Sequence, residues 1–96
     1  MNKCYFLYIL KCSDGSYYVG TTSALEERFR AHNEGRAARY TTSRRPVTLV
    51  YSEEHPNVEQ ARSRERQIKC WSRAKKEALI SGDRPKLKKL SKRHIK

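Results

Sequence analysis

Apolar positions alternate on both registers at the start of the chain. In residues 5–12, YFLYILKC, the side chains of Tyr5, Leu7 and Ile9 point one way and those of Phe6, Tyr8 and Leu10 the other. A strand that is apolar on both faces is covered on both sides, so the pattern predicts a central strand. Ser13-Asp14-Gly15-Ser16 then reads as a turn into a second strand. A two-residue Asp14-Gly15 loop would put Tyr8 and Tyr18 on opposite faces. A three-residue loop, with Gly15 left-handed and a bulge after it, would instead pair Cys12 with Ser16, Leu10 with Tyr18 and Tyr8 with Gly20. The second arrangement, with both tyrosines on one face, is the one expected.

The period then becomes helical. Ser23-x-x-Glu26 has the form of a capping box, and a helix is expected from near Ser23 to Asn33 or Glu34, with Gly35 as its terminator. Leu25, Phe29 and His32 make its inward stripe, and Arg28 lies four residues before His32 on the same face. Residues 36–46, RAARYTTSRRP, read as a basic loop, and 47–52, VTLVYS, as a third strand. Asn57-x-x-Gln60 caps a second helix running to about Lys69, and Ser72 caps a third that ends at Ser81-Gly82. There is no internal repeat.

Length and charge narrow the function. Ninety-six residues make one domain. A chain of this size buries only about 60–65% of its unfolded surface, which favours a shallow groove over a deep pocket. The formal charge is +12, and the last thirteen residues hold seven basic and no acidic side chains. The expected division is therefore a domain over 1–83 and a basic tail over 84–96. Such a balance favours a polyanion, nucleic acid before a membrane surface, because the tail has few large apolar anchors. No apolar run approaches the roughly 20 residues of a membrane span, and no export signal is seen. Cys4, Cys12 and Cys70 have no CxxC spacing and read as plain thiols of a reducing cytosol.

Within this frame Glu65 stands out. Val58, Ala61 and Ile68 define the inward stripe of the second helix, and Glu65 falls within it. An ionised carboxylate there is costly unless it is paired, with Arg28, Arg62 or Lys69, or holds a cation. One carboxylate completed by water and phosphate is a common way to hold Mg²⁺. Tyr8 and Tyr18 are either core aromatics or hydroxyl donors to water and phosphate, and Arg28 offers phosphate a fork of donors. His32 suits proton transfer or phosphate contact equally. Arg39, Tyr40, Arg44 and Arg45 mix cations with an aromatic ring, as a nucleic-acid-contacting loop does, and Lys69 is a further candidate contact. No Walker-type loop, zinc spacing or serine-histidine-acid set is present.

These residues resemble the GIY-YIG nuclease superfamily. Tyr18-Val19-Gly20 matches its second signature, and Tyr8, ten residues earlier, stands where the first signature has its tyrosine, within Phe6-Leu7-Tyr8. Arg28 falls on the family arginine, His32 on a histidine or tyrosine position, and Glu65 on the metal-binding glutamate. The small stand-alone members are similar over about residues 4–82, sharing YTxxRRP, Ala61, Glu65, Ile68, Lys69, Lys75-Lys76 and Leu79-Ile80. Thr21 departs from the lysine of the DNA-repair incision members, and no attached DNA-binding domain accompanies the chain. The resemblance implies an α+β fold, a three-stranded antiparallel sheet flanked by helices. It also implies an endonuclease using Mg²⁺ or Mn²⁺ on nucleic acid, DNA before RNA. In that chemistry Glu65 holds the metal, Tyr8 accepts a proton from the attacking water or aligns that water, with help from His32, Tyr18 holds water or phosphate, and Arg28 stabilises the charge of the transition state. A phenol with a pKa near 10 is a poor base at neutral pH, so the base is the open step.

Overall fold

Why the opening strand is apolar on both sides is plain in the computed structural model, which describes residues 4–85 and Leu87. Strand β1 (Tyr5–Lys11) lies between β2 (Tyr17–Thr22) and β3 (Thr48–His55) in one antiparallel sheet of order β2-β1-β3. On one face Leu7, Ile9 and Val19 pack with Ile68 of helix α3 (Val58–Lys69) and with Leu79 and Ile80 of α4 (Arg73–Ser81). On the other Tyr8, Leu10, Cys12 and Val47 pack with Leu25 and Phe29 of α1 (Leu25–Asn33).

The hairpin takes the three-residue form. Gly15 has φ of +86°, its N–H donates to Cys12 O at 2.9 Å, and Cys12 N–H donates to Ser16 O at 2.8 Å. Leu10 therefore pairs with Tyr18 and Tyr8 with Gly20, which puts both tyrosines on the α1 face.

Three expectations need correction. Ser23 does not cap α1: the helix begins at Leu25, and Ala24 N–H is satisfied by Thr22 Oγ1 at 3.0 Å. The strand-end threonine makes the local turn, so the chain enters the helix two residues late. The basic loop contains a short helix, α2 (Arg39–Thr42), with Thr41 fully buried. The third strand runs on through Glu53 to His55, because Glu53 is matched by Arg64 Nε at 2.7 Å, His55 Nε2 at 2.9 Å and the Tyr51 hydroxyl. β3 also skips Val50 in its pairing with β1, a bulge between Ile9 and Leu10.

The later caps form as expected. Asn57 Oδ1 accepts from Gln60 N–H at 2.8 Å, and Ser72 Oγ accepts from Lys75 N–H at 3.2 Å. Gly82 closes α4 with φ of +75°. All three cysteines are free thiols. Among the described residues no helix is long and apolar enough to cross a membrane. The predicted basic tail lies outside the described residues apart from Arg84, Pro85 and Leu87.

Candidate active site

Tyr8 is the fixed point of the α1 face. It sits on the central strand with 2% of its surface exposed, and Gly20 lies directly across from it on β2. A Cβ at residue 20 would stand 2.6 Å from Tyr8 Oη and 2.8 Å from Cζ, so only glycine leaves room beside the hydroxyl. Sequence reasoning matched this glycine to a signature without giving it a task. Its signal was a glycine inside a strand, which marks a close approach.

The hydroxyl that Gly20 accommodates is hydrogen-bonded to histidine. Tyr8 Oη lies 2.8 Å from His32 Nε2, and His32 Nδ1 lies 2.8 Å from Thr41 Oγ1 on α2. His32 and Thr41 are both fully buried. Tyr18 packs on the pair, its ring centroid 5.0 Å from His32 and 6.4 Å from Tyr8. Tyr40 stacks on Tyr18 at 6.0 Å. Thr41 was missed because nothing in a polar, basic stretch marks one threonine as buried.

Burial sets the protonation states. It is the main cause that pushes the Tyr8 phenol well above its ordinary range; Tyr18 adds to it, Arg28 opposes it and Glu65 adds again. Burial, reinforced by the Arg28 guanidinium, pushes the His32 imidazole down to about 4. At neutral pH the pair is therefore a neutral phenol and a neutral imidazole. A neutral imidazole keeps one bare nitrogen, which is the acceptor that a phenol needs.

Arg28 is exposed one helical turn before His32, and its guanidinium makes no ion pair or hydrogen bond among the described residues. Its charge acts on both Tyr8 and His32. A concavity of about 370 Å³ opens beside it, lined in part by Thr22, Ser23, Ala24 and Arg36. Glu65 comes from α3, on the other side of the sheet, and reaches the β2 edge. Thr21 Oγ1 donates to Glu65 Oε1 at 3.3 Å, and Lys69 Nζ pairs with Oε2 at 2.8 Å. Thr21 is next to Gly20, so the carboxylate approaches Tyr8 along the β2 edge, near enough for its charge to act on the phenol. Of the three partners weighed for Glu65, Lys69 is the one it takes.

The basic segment divides. Arg44 turns to the hairpin tip, where Nε meets Asp14 Oδ2 at 3.1 Å and the guanidinium lies 3.9 Å from the Tyr40 centroid. Arg45 Nε donates to Thr42 O at 2.8 Å. Arg39 is exposed, and its side chain makes no ion pair or hydrogen bond among the described residues. A cavity of about 910 Å³ lies away from all of these, lined by residues including Tyr51, Arg64, Leu79 and Arg84.

A small antiparallel sheet carrying two tyrosines, with an arginine and a histidine on α1 and a glutamate on α3, defines a class. The family model for the GIY-YIG catalytic domain matches residues 4–78, and the chain belongs to this family of the nuclease superfamily. Its relatives are small single-domain proteins. It is 48% identical over 77 residues to UPF0213 protein SSP2268 of Staphylococcus saprophyticus, covering 80% of this chain and 94% of that one. It is 43% identical over 76 residues to a UPF0213 protein of Bacillus pumilus, covering 79% and 78%. Two solution NMR structures are similar. The UPF0213 protein BH0048 of Bacillus halodurans has a TM-score of 0.54 at 41% identity, covering 81% of this chain and 83% of that one. The protein EF2693 of E. faecalis has a TM-score of 0.58 at 32% identity, covering 85% and 90%.

Proposed function

We propose that this protein is a divalent-metal-dependent endonuclease that hydrolyses phosphodiester bonds in nucleic acid, with DNA the first polymer to test. The observation that carries this reading is the 2.8 Å contact between a buried phenol and a neutral imidazole. Burial favours the protonated phenol of Tyr8 over the phenolate. The phenol works as a relay. Tyr8 takes a proton from the attacking water as its own passes to His32 Nε2, so the imidazole is the base and the phenol the conductor. Arg28, exposed and without an ion pair among the described residues, binds the phosphate and then the extra charge of the pentacovalent transition state. Bound phosphate also offsets the Arg28 charge that holds His32 down, which raises the basicity of the imidazole when substrate is present. Tyr18 packs against both relay rings and aligns them.

Glu65 fits a hard cation. Its two oxygens face a threonine hydroxyl and a lysine ammonium, and its side chain retains 20% exposure. Among the described residues no cluster of three His, Cys, Asp or Glu side chains surrounds it, which suits an ion that keeps most of its waters, as Mg²⁺ does. A bound Mg²⁺ or Mn²⁺ would neutralise charge on the phosphate and its leaving oxygen. Lys69 would then give up its pairing with Glu65 and be available to the nucleic acid backbone. Arg39 and Arg45, with Tyr40, extend the contact along α2, while Arg44 serves chiefly to brace the hairpin tip.

A second reading, a nucleic-acid-binding module that does not cut, draws on the Lys69–Glu65 pair, which already neutralises the carboxylate. Labelled single-stranded, duplex and branched DNA and RNA, incubated with Mg²⁺ or Mn²⁺, separate the two. Cleavage lost in Glu65→Ala and Arg28→Ala supports the nuclease. Binding without cleavage on every substrate selects the module.

A further inference from the structure

An imidazole accepts a proton at Nε2 only if its own proton sits on Nδ1, and something must hold it there. Among the described residues the hydrogen-bond partner of Nδ1 is Thr41 Oγ1, at 2.8 Å. That hydroxyl has one proton and a second neighbour, the Ala38 carbonyl oxygen, at 3.1 Å. If Thr41 donates to Ala38 O, its lone pair faces His32 and the ring proton must be on Nδ1. Nε2 is then bare and faces Tyr8. If Thr41 instead donates to Nδ1, the ring proton moves to Nε2 and points at Tyr8 Oη, and the relay has no acceptor.

Competition at Ala38 O decides between the two. Thr42 N–H and Thr42 Oγ1 also reach that oxygen, at 3.1 Å and 2.8 Å. Thr42 Oγ1, however, has a second acceptor in Gly35 O at 3.3 Å, so it can leave Ala38 O to Thr41. Bulk water cannot replace either contact, since His32 and Thr41 have no exposed surface. Thr41 is also the buried residue of α2, whose Arg39 and Tyr40 face solvent. The four-residue helix thus brings one hydroxyl to the back of the imidazole.

We propose that Thr41 is a positioning residue that fixes His32 in its Nδ1–H tautomer and so makes Nε2 the proton acceptor for Tyr8. Its catalytic consequence rests on the nuclease reading above; the tautomer itself does not. The test is the ¹⁵N spectrum of the imidazoles in the full-length, metal-free protein at neutral pH, with the His32 signals assigned by their loss in His32→Gln. Wild type shows protonated Nδ1 and bare Nε2. Thr41→Val, which keeps the shape and removes the hydroxyl, shows a mixture or the Nε2–H form, and Thr41→Ser restores the wild-type pattern. In the cleavage assay Thr41→Val loses about 10–10²-fold in kcat with KM little changed, and Thr41→Ser recovers most of it. Protonated Nε2 in the wild type overturns the proposal, and so does an unchanged tautomer in folded Thr41→Val. If Thr41→Val does not fold, the wild-type and Thr41→Ser spectra still decide. If no variant cleaves anything, the nuclease reading fails while the spectra judge Thr41 independently.

Discussion

The two faces of β1 put burial to different uses. Toward α3 and α4, Leu7 and Ile9 are fully buried against Val19 and Ile68, an apolar contact with no polar atom to satisfy. Toward α1 and α2, one residue out of step, Tyr8 is nearly as buried, yet it belongs to a chain of hydrogen bonds through His32 to Thr41. The first face excludes water to hold the sheet together. The second excludes water to set two protonation states, raising the phenol and lowering the imidazole. A strand with side chains alternating between faces lets one element serve both ends, and the cost is that Tyr8 cannot move without disturbing the core beside it.

Substitutions on the two faces should therefore separate stability from activity. The largest stability effect is expected at Leu7→Ala, which empties a fully buried site and should cost about 2–5 kcal/mol in denaturant unfolding. The surviving folded protein should cleave at the wild-type rate; a rate that falls with stability would mean the faces are not separable. Next is Gly20→Ala. The new methyl meets a ring that is buried and hydrogen-bonded, so Tyr8 must shift, at about 1–3 kcal/mol of strain. Here activity should fall far more than stability, read by comparing cleavage rates with unfolding midpoints. Wild-type cleavage in Gly20→Ala would show that Tyr8 Oη need not stay where it is.

A third effect is in the pH dependence of stability. Unfolded, His32 takes up a proton below about pH 6.5. Folded, it does not do so until about 4. Between these values the unfolded state binds more protons, so stability rises with pH there and is lost as pH falls through the window. The loss should reach about 1.4 kcal/mol per pH unit at most. Asp14 and Glu53, also held low, add to acid loss nearer their own range. The difference in slope between wild type and His32→Gln isolates the histidine, and equal slopes would show that His32 is not held neutral.

Much of this contrast was legible in the primary chain. The double alternation of residues 5–10 set β1 in the middle, and the Gly15 turn settled which tyrosine faces which partner. Asn57 and Ser72 were readable because a cap is a local event. What escaped reading depends on partners distant in sequence. Glu53 and Glu54 looked unlike strand until Arg64 came across to Glu53. The burial of Lys75, with Nζ 4.2 Å from the Trp71 ring centroid, has no local mark in the sequence. Thr41 and the close approach at Gly20 likewise exist only once α2 and β2 meet the central strand. That Tyr8, Tyr18 and His32 lie together followed from strand register and helix stripe.

The most direct measurement is single-turnover cleavage by Tyr8→Phe, with Mn²⁺ or Mg²⁺ and the best substrate of the panel. The change removes one oxygen atom from the relay and leaves the ring in the core. The expected result is a folded protein with a rate about 10²–10⁴-fold below wild type. A folded Tyr8→Phe that cleaves at the wild-type rate would contradict the proton relay and leave the buried tyrosine as packing alone.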